Sequence, residues 1–381
     1  MNCHFIDYNL FIHPKAKHFL HFFHFFTIFA AFLFINNQKR MKKKIFGIAI
    51  SILILIIGGG ALFFYQLFYT PIFNIQEDTR IFIDEDDTAD SVRQKITENC
   101  EPKDLQGFDI LAKYYNYYNR IKTGCYTATP KDNACTFVRK LNAGWQTPVN
   151  IIVPSVRTID RMAEALSNQL MINKDDIINY LTNHKNLKEL GFNQETLPSL
   201  FIPNTYEMYW NCDIEKLMTR LKKEYKRFWD EERIQKARSI GLSPNEVVTL
   251  ASIVDEETAN NKEKPIVAGL YINRLKRNIP LQADPTIKFA LQDFTLKRIY
   301  NKHLKIESPY NTYLHPGLPI GPIRIPSIAG IESVLNYAKH DYIYMCAKED
   351  FSGTHNFAKT LSEHNANARR YQQALNQRGI R

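Results

Sequence analysis

Residues 243–258, SPNEVVTLASIVDEET, spell a helix from its first capping group to its last turn. Ser243 can accept from the free backbone N–H groups, Pro244 suits the first turn, and Glu246 stands at the capping-box position. Val247, Leu250, Ala251 and Val254 then recur at i, i+3, i+4 and i+7, which makes one apolar face. The next position on that face is Glu257, while Asp255 and Glu256 point about 200° and about 100° away from it. Burial disfavours an ionised carboxyl and a helix C-terminus repels it, so this phasing pushes the Glu257 pKa upward. That is what a general acid at neutral pH requires. An acidic helix end paired with Lys262 or Lys264 fits the same residues.

Downstream, LQADPT (281–286) groups Gln282, Asp284 and Thr286 about a proline turn. YNTY (310–313) leads into GLPIGP (317–322), which is too rich in Gly and Pro for regular structure. Loops dense in amide, hydroxyl and aromatic groups suit a sugar, whose rings stack on tyrosine faces while side chains bond its hydroxyls. A turn-rich connector with packed tyrosines would read alike in each motif alone; beside Glu257 they outline a cleft. Upstream, residues 214–237 predict one long charged helix, with Leu217, Leu221, Tyr225 and Phe228 as its packing stripe. Residues 71–83 alternate as a strand and 87–96 read as a capped helix. Residues 124–141 and 144–152 suggest strands about a short helix, and 157–170 and 175–181 are helical. Together they predict a small α+β region.

The chain is unevenly charged. Its 381 residues carry 49 Lys and Arg against 39 Asp and Glu, a formal +10. Residues 1–44 hold seven of those bases and a single acid, Asp7, so a nucleic-acid partner loses its main support. Residues 45–68 carry no charge, which is long enough for the roughly 20 residues that span a bilayer. Lys42, Lys43 and Lys44 precede this run, and a positive flank stays in the cytoplasm, so the bulk of the chain is expected to face outward. An uncleaved anchor is expected rather than a signal peptide, because LFFY (62–65) continues past the glycines. Residues 19–34 are also apolar but are interrupted by His21 and His24; a second span there would leave the large domain in the cytoplasm. Met41 is the expected start, with 1–40 an over-extension. Six cysteines form no C-x-x-C pair and no zinc spacing; Cys125 and Cys135 bracket a polar loop and either bridge or remain thiols.

The motifs LASIVDEET (250–258), YINRL (271–275), LQADPT, YNTY with GLP, and HNF (355–357) followed by EHN (363–365) resemble the endolytic murein transglycosylase (YceG-like) family. LFIPNTY (200–206) is similar to a further segment of it, and the likeness runs in order over residues 195–375. The region before resembles, more loosely, a LysM-like module. The resemblance implies an α+β protein with a transmembrane anchor at 41–70, a LysM-like α+β module at 71–190 and a mixed α/β catalytic domain at 191–381. It implies Glu257 as the catalytic acid, cleaving peptidoglycan glycan strands by an intramolecular reaction that needs no metal or organic cofactor. Gln282, Asp284, Thr286, Asn311, Thr312 and Tyr313, with Tyr206 added, are the expected sugar-holding residues. Expected surroundings are the inner membrane, with the catalytic domain in the periplasm and peptidoglycan synthases nearby. Ile320 and the pair Arg324-Ile325 depart from the family pattern, which alters a subsite's shape and not the acid. His355 and His364, with Glu363, match no metal-ligand spacing and are expected to pack or cap. An inactive glycan-binding scaffold, or a hydrolase using Asp284 to activate water, would share these residues.

Overall fold

A computed structural model describes residues 40–296 and 298–379. The apolar stretch within residues 19–34 lies outside that range. The first element is helix α1 (Arg40–Tyr69), in which Phe46–Tyr69 is long and apolar enough to cross a membrane. Beyond it the chain mixes helices with three two-stranded antiparallel sheets among the described residues, built around three apolar cores.

The first unit runs β1 (Thr79–Ile83), α2 (Ala89–Cys100), α3 (Gln106–Tyr114), β2 (Gly124–Ala128) and α4 (Ala134–Ala143). β1 pairs with β2, Ile81 opposite Tyr126, and Ile81 and Ile83 point inward by the two-residue period of a strand. Helix α2 begins at a Thr88–Ser91 capping box, as the Asp87-region start signal predicts. The anchor is not loosely tethered. Leu67, in the last turns of α1, is buried in this first core, and Asn133 Nδ2 donates to the Phe68 carbonyl at 2.5 Å.

The second unit runs β3 (Val149–Val153), α5 (Ile159–Ser167), α6 (Lys174–Thr182), α7 (His184–Leu190), β4 (Asn204–Met208) and α8 (Ile214–Phe228). β3 pairs with β4, and Leu217, Met218 and Leu221 of α8 close the core over Ile151, Met162 and Leu166. This core therefore spans the 190/191 boundary read from the sequence. The long helix expected over 214–237 is broken: α8 ends at Phe228, and α9 (Glu231–Ser239) starts afresh. Asp230 accepts from Arg233 N at 2.9 Å as a new N-cap, while Trp229 is buried between the two helices. Charge periodicity alone does not reveal that an aspartate has turned from helix surface to cap. Cys125 and Cys135 are free thiols that sit in different cores, so they do not bridge.

The third unit holds α10 (Pro244–Glu257), α11 (Lys264–Lys276), α12 (Asp284–Leu291), α13 (Ile328–Leu335), β5 (Tyr344–Ala347), β6 (His355–Ala358) and α14 (Leu361–Gln377). Ser243 and Glu246 form the capping box read from the sequence, with Ser243 N donating to Glu246 Oε2 at 2.7 Å. The apolar stripe expected on α10 widens to its whole girth: every residue from Val247 to Val254 is buried, because α11 and α13 pack around it. Ser252 is tolerated there because it donates to the Thr249 carbonyl and accepts from Ile323 N.

Candidate active site

The last turn of α10 carries three consecutive acids, and its neighbours treat each differently. Asp255 receives Lys264 Nζ at 2.7 Å, Ser327 N at 2.5 Å and Ser327 Oγ at 3.1 Å. Gly330 leaves room for it, since a Cβ there would fall 2.5 Å from Asp255 Oδ1. Glu256 takes a two-pronged bond from Arg157, Nε at 2.9 Å and Nη2 at 2.8 Å, and a third from Arg324 Nη1 at 2.8 Å. Arg324 also donates to Ser155, and Ile325 N to the Val156 carbonyl, so Glu256 ties the second unit to the third. Lys264 is thus committed to Asp255, and Glu257 has no ion pair among the described residues. Its one side-chain partner is the Tyr271 hydroxyl, which donates to Oε1 at 2.7 Å.

The electrostatic consequence is specific to Glu257. Burial pushes its pKa up to about 7; the Tyr271 bond works against this by favouring the carboxylate, while the nearby Asp284 charge adds to the rise. Tyr271 is buried too, and burial together with the adjacent carboxyl holds its hydroxyl protonated far above the usual tyrosine range.

Glu257 opens onto a cavity of about 480 Å³. Tyr271 and Arg274 of α11 form one wall, Gln282, Asp284 and Tyr313 a second, and Tyr344, Met345, Cys346, His355 and His364 a third. Tyr313 donates to Asp284 Oδ1 at 2.5 Å, and burial and that carboxylate raise its pKa. The pair LQADPT and YNTY therefore do meet, but their residues divide the work. Gln282, Asp284 and Tyr313 face the cavity, whereas Thr286, Asn311 and Thr312 are buried behind it. Thr286 Oγ1 lies 2.9 Å from Thr312 Oγ1, which accepts from Ala283 N; Asn311 Nδ2 donates to the carbonyls of Leu304 and Ile306. Those three fix the loops that present the first three. The Asp284-Pro-Thr run is not a free turn, for it opens α12 with Pro285 in its first turn. Tyr206 is not brought to the cavity: it is buried in the second core, its hydroxyl donating to the Ile202 carbonyl at 2.7 Å.

Sequence reasoning passed over Tyr271 and Arg274 as site residues. The signal was present: a tyrosine and an arginine three residues apart in a mostly apolar helix, which puts them on one face. His355 packs as expected, bonding Glu263 at 3.0 Å through Nδ1, and His364 stacks on Tyr344 with ring centroids 5.3 Å apart. Both nevertheless line the cavity.

One open cavity thus gathers a half-buried carboxyl with no cation partner among the described residues, a second carboxylate held by Tyr313, and tyrosine, amide and guanidinium groups. The chain belongs to the YceG-like family, whose pattern matches residues 81–370. It is 26% identical over 340 residues to an endolytic murein transglycosylase of Bacillus subtilis (strain 168), covering 85% of this chain and 93% of that one. It is likewise 26% identical over 363 residues to an endolytic murein transglycosylase of Streptococcus pneumoniae (strain D39), covering 85% of this chain but 64% of that longer relative. A crystal structure of a YceG-like protein from Listeria monocytogenes superposes with a TM-score of 0.54 at 25% identity, covering 77% of this chain and 99% of that one.

Proposed function

We propose that this chain is a membrane-anchored endolytic lytic transglycosylase of peptidoglycan, cutting between N-acetylmuramic acid and N-acetylglucosamine within glycan strands and leaving 1,6-anhydro ends. The observation that carries the reading is Glu257: alone of three adjacent acids it lacks a cation, and its pKa lies at about 7. A pKa raised toward neutral pH favours the protonated form that a general acid needs. The protonated carboxyl gives that proton to the bridging oxygen as the C1–O bond breaks, and positive charge develops at C1. The carboxylate so formed takes the proton of the sugar's own C6 hydroxyl while that oxygen bonds C1. The proton returns, no water is consumed, and the anhydro ring closes. Two-carboxylate glycosidases need a second group to activate water or attack C1; an internal nucleophile is already in place, and its proximity lowers the barrier.

In this reading Gln282, Asp284 and Tyr313 touch the sugar; Thr286, Asn311 and Thr312 hold their loops, and Tyr206 supports the unit below. The first βααβα unit, which follows the anchor, is read as LysM-like. The positive run Lys42, Lys43 and Lys44 in the first turns of α1 supports a cavity on the outer side of the inner membrane, in the periplasm, beside the synthases that extend strands. One observation favours a second reading: Asp284 shares the cavity with Glu257, as a water-activating base would. Against it, Asp284 Oδ1 is engaged by the Tyr313 hydroxyl.

Mass spectrometry of peptidoglycan treated with the protein, beside Glu257→Gln, separates these. Internal fragments ending in 1,6-anhydromuramic acid, reduced about 10³-fold or more with Gln, are expected. Reducing ends would make it a hydrolase, and no cleavage of sacculi or uncrosslinked strands would leave a binding scaffold.

A further inference from the structure

Arg274 is the odd member of the cavity wall. Its side chain is buried, and burial pulls its pKa below the usual arginine range, yet no carboxylate pairs with it among the described residues. Its three bonds all go to neutral oxygens: Nε to the Pro280 carbonyl at 3.0 Å, Nη1 to the Ile343 carbonyl at 2.8 Å, and Nη2 to Gln282 Oε1 at 2.6 Å. Buried cations without an acid partner are uncommon, because the desolvation of the charge is not offset by a counter-charge. Something about Gln282 is worth that arrangement.

A guanidinium has five donors and no acceptor, so the only atom of the Gln282 amide that can face it is the oxygen. The amide is thereby fixed in one of its two flips, with the Nε2 hydrogens turned from Arg274. The backbone is fixed as well: Gln282 sits at φ 50°, left-handed and unusual for a non-glycine residue, and its N–H donates to the Thr312 carbonyl at 3.0 Å. A cation on its oxygen polarises an amide and strengthens its N–H groups as donors. The side chain is exposed toward the cavity that Glu257 opens into.

We propose that Arg274 is a positioning residue that makes Gln282 a one-way hydrogen-bond donor, and that this donor recognises the acetamido carbonyl of the aminosugar bound next to Glu257. The inference rests on the peptidoglycan reading above and names which substrate group that site discriminates. A strong neutral acceptor suits a polarised amide N–H better than a hydroxyl does, since a hydroxyl is as content to donate. The amide carbonyl of a lactyl–peptide junction offers the same chemistry on the same polymer, so the test must separate the two.

Three substrates do so: intact glycan strands, strands stripped of stem peptides, and strands de-N-acetylated. Glu in place of Gln282 preserves length and gives Arg274 an ion pair, but removes every donor. Wild type is expected to lose ten- to a hundredfold in kcat/KM on de-N-acetylated strands and little on peptide-stripped ones. Gln282→Glu is expected to lose a similar factor on both N-acetylated substrates, mostly through KM, and almost nothing further on the de-N-acetylated one. Arg274→Met, which frees the amide to flip, is expected to fall between. Equal losses for Gln282→Glu on all three substrates overturn the proposal, as does a loss that follows the stem peptide. Strand binding is measured alongside in the Glu257→Gln background, where no chemistry is needed. If wild type cleaves nothing, the transglycosylase reading fails by itself; preferential binding of N-acetylated strands that vanishes with Gln282→Glu still upholds the donor, and its absence overturns it. Should Gln282→Glu not fold, Gln282→Ala at the same exposed position takes its place.

Discussion

Asp255 and Glu256 look toward the packed interior and the joint with the second unit, and each meets a cation there; Glu257, in the same helix turn, looks into the cavity and meets a phenol. The three share a helix end and its unfavourable dipole, so position on α10 does not explain their different fates. The difference comes from what neighbouring elements deliver. Lys264 arrives from α11 and goes to Asp255 inside the third unit, while Arg157 from the loop before α5 and Arg324 from the loop before α13 meet on Glu256 at the joint with the second. An acid met by cations becomes a tie between elements. An acid surrounded by protein and met only by a hydroxyl keeps a proton to give.

The largest expected effect breaks the ion-paired side of this contrast. The Lys264–Asp255 pair has side chains 8% and 4% exposed. Asp255→Asn keeps the shape and an acceptor for Ser327 N but leaves the ammonium buried without its counter-charge. A loss of about 3–5 kcal/mol is expected, read as the shift in denaturant midpoint. A loss below about 1 kcal/mol would mean that the packed interior tolerates a lone charge as readily as the cavity does, and the contrast would dissolve.

On the cavity side the sign reverses. A carboxyl whose folded pKa is raised opposes folding only where the unfolded chain would ionise it. For Glu257, between its ordinary 4.5 and about 7, that opposition is absent below pH 4.5, grows through this window, and is complete above about 7. Glu257→Gln is therefore expected to stabilise the protein at pH 8 by up to about 3 kcal/mol, at ~1.4 kcal/mol per pKa unit, and by nothing at pH 4. Thermal melts at the two pH values check this. An equal effect at both would place the gain in packing instead of in the suppressed charge.

How far this contrast was legible beforehand depends on the kind of signal. The α10 start was plain, because a capping box is local: Ser243 and Glu246 need only each other. The helical phase that singled out Glu257 reached the right residue on a premise the structure widens, since the helix is buried all round and not along one stripe. What set Glu257 apart was the destination of Lys264, Arg157 and Arg324, which depends on partners 9 to 99 residues apart and leaves no periodic trace. The same holds for the loops. Their polar richness pointed to a cavity, but whether a Thr or Asn faces sugar or backbone depends on carbonyls supplied elsewhere, as Asn311 shows with Leu304 and Ile306. The Asp230 break in the charged helix was missed for a related reason: a cap is announced by what precedes it turning inward, here Trp229.

Tyr271→Phe sharpens the cavity side. The hydroxyl bond to Oε1 favours the carboxylate, so removing it is expected to raise the Glu257 pKa further. Loss of the acid with rising pH, centred near 7 in the wild type, should move to higher pH in the variant. The shift should be about one unit or less, in keeping with one hydrogen bond of about 1 kcal/mol. A limb that moves to lower pH, or stays put, would mean that the phenol does not govern the proton.

The smallest expected effect tests whether joint and cavity are electrically separate. Arg157 is 47% exposed, and Glu256, which it grips, keeps Arg324 if Arg157 is lost. Arg157→Met should therefore cost about 0.5 kcal/mol, as exposed ion pairs do, and leave the pH profile of cleavage in place. The reason is proximity: the Glu256 charge is among those that raise the Glu257 pKa, and Arg324 at 2.8 Å continues to offset it. If the alkaline limb instead rises with Arg157→Met, the second unit reaches the catalytic proton through Glu256, and any movement at the joint would change the fraction of Glu257 ready to act.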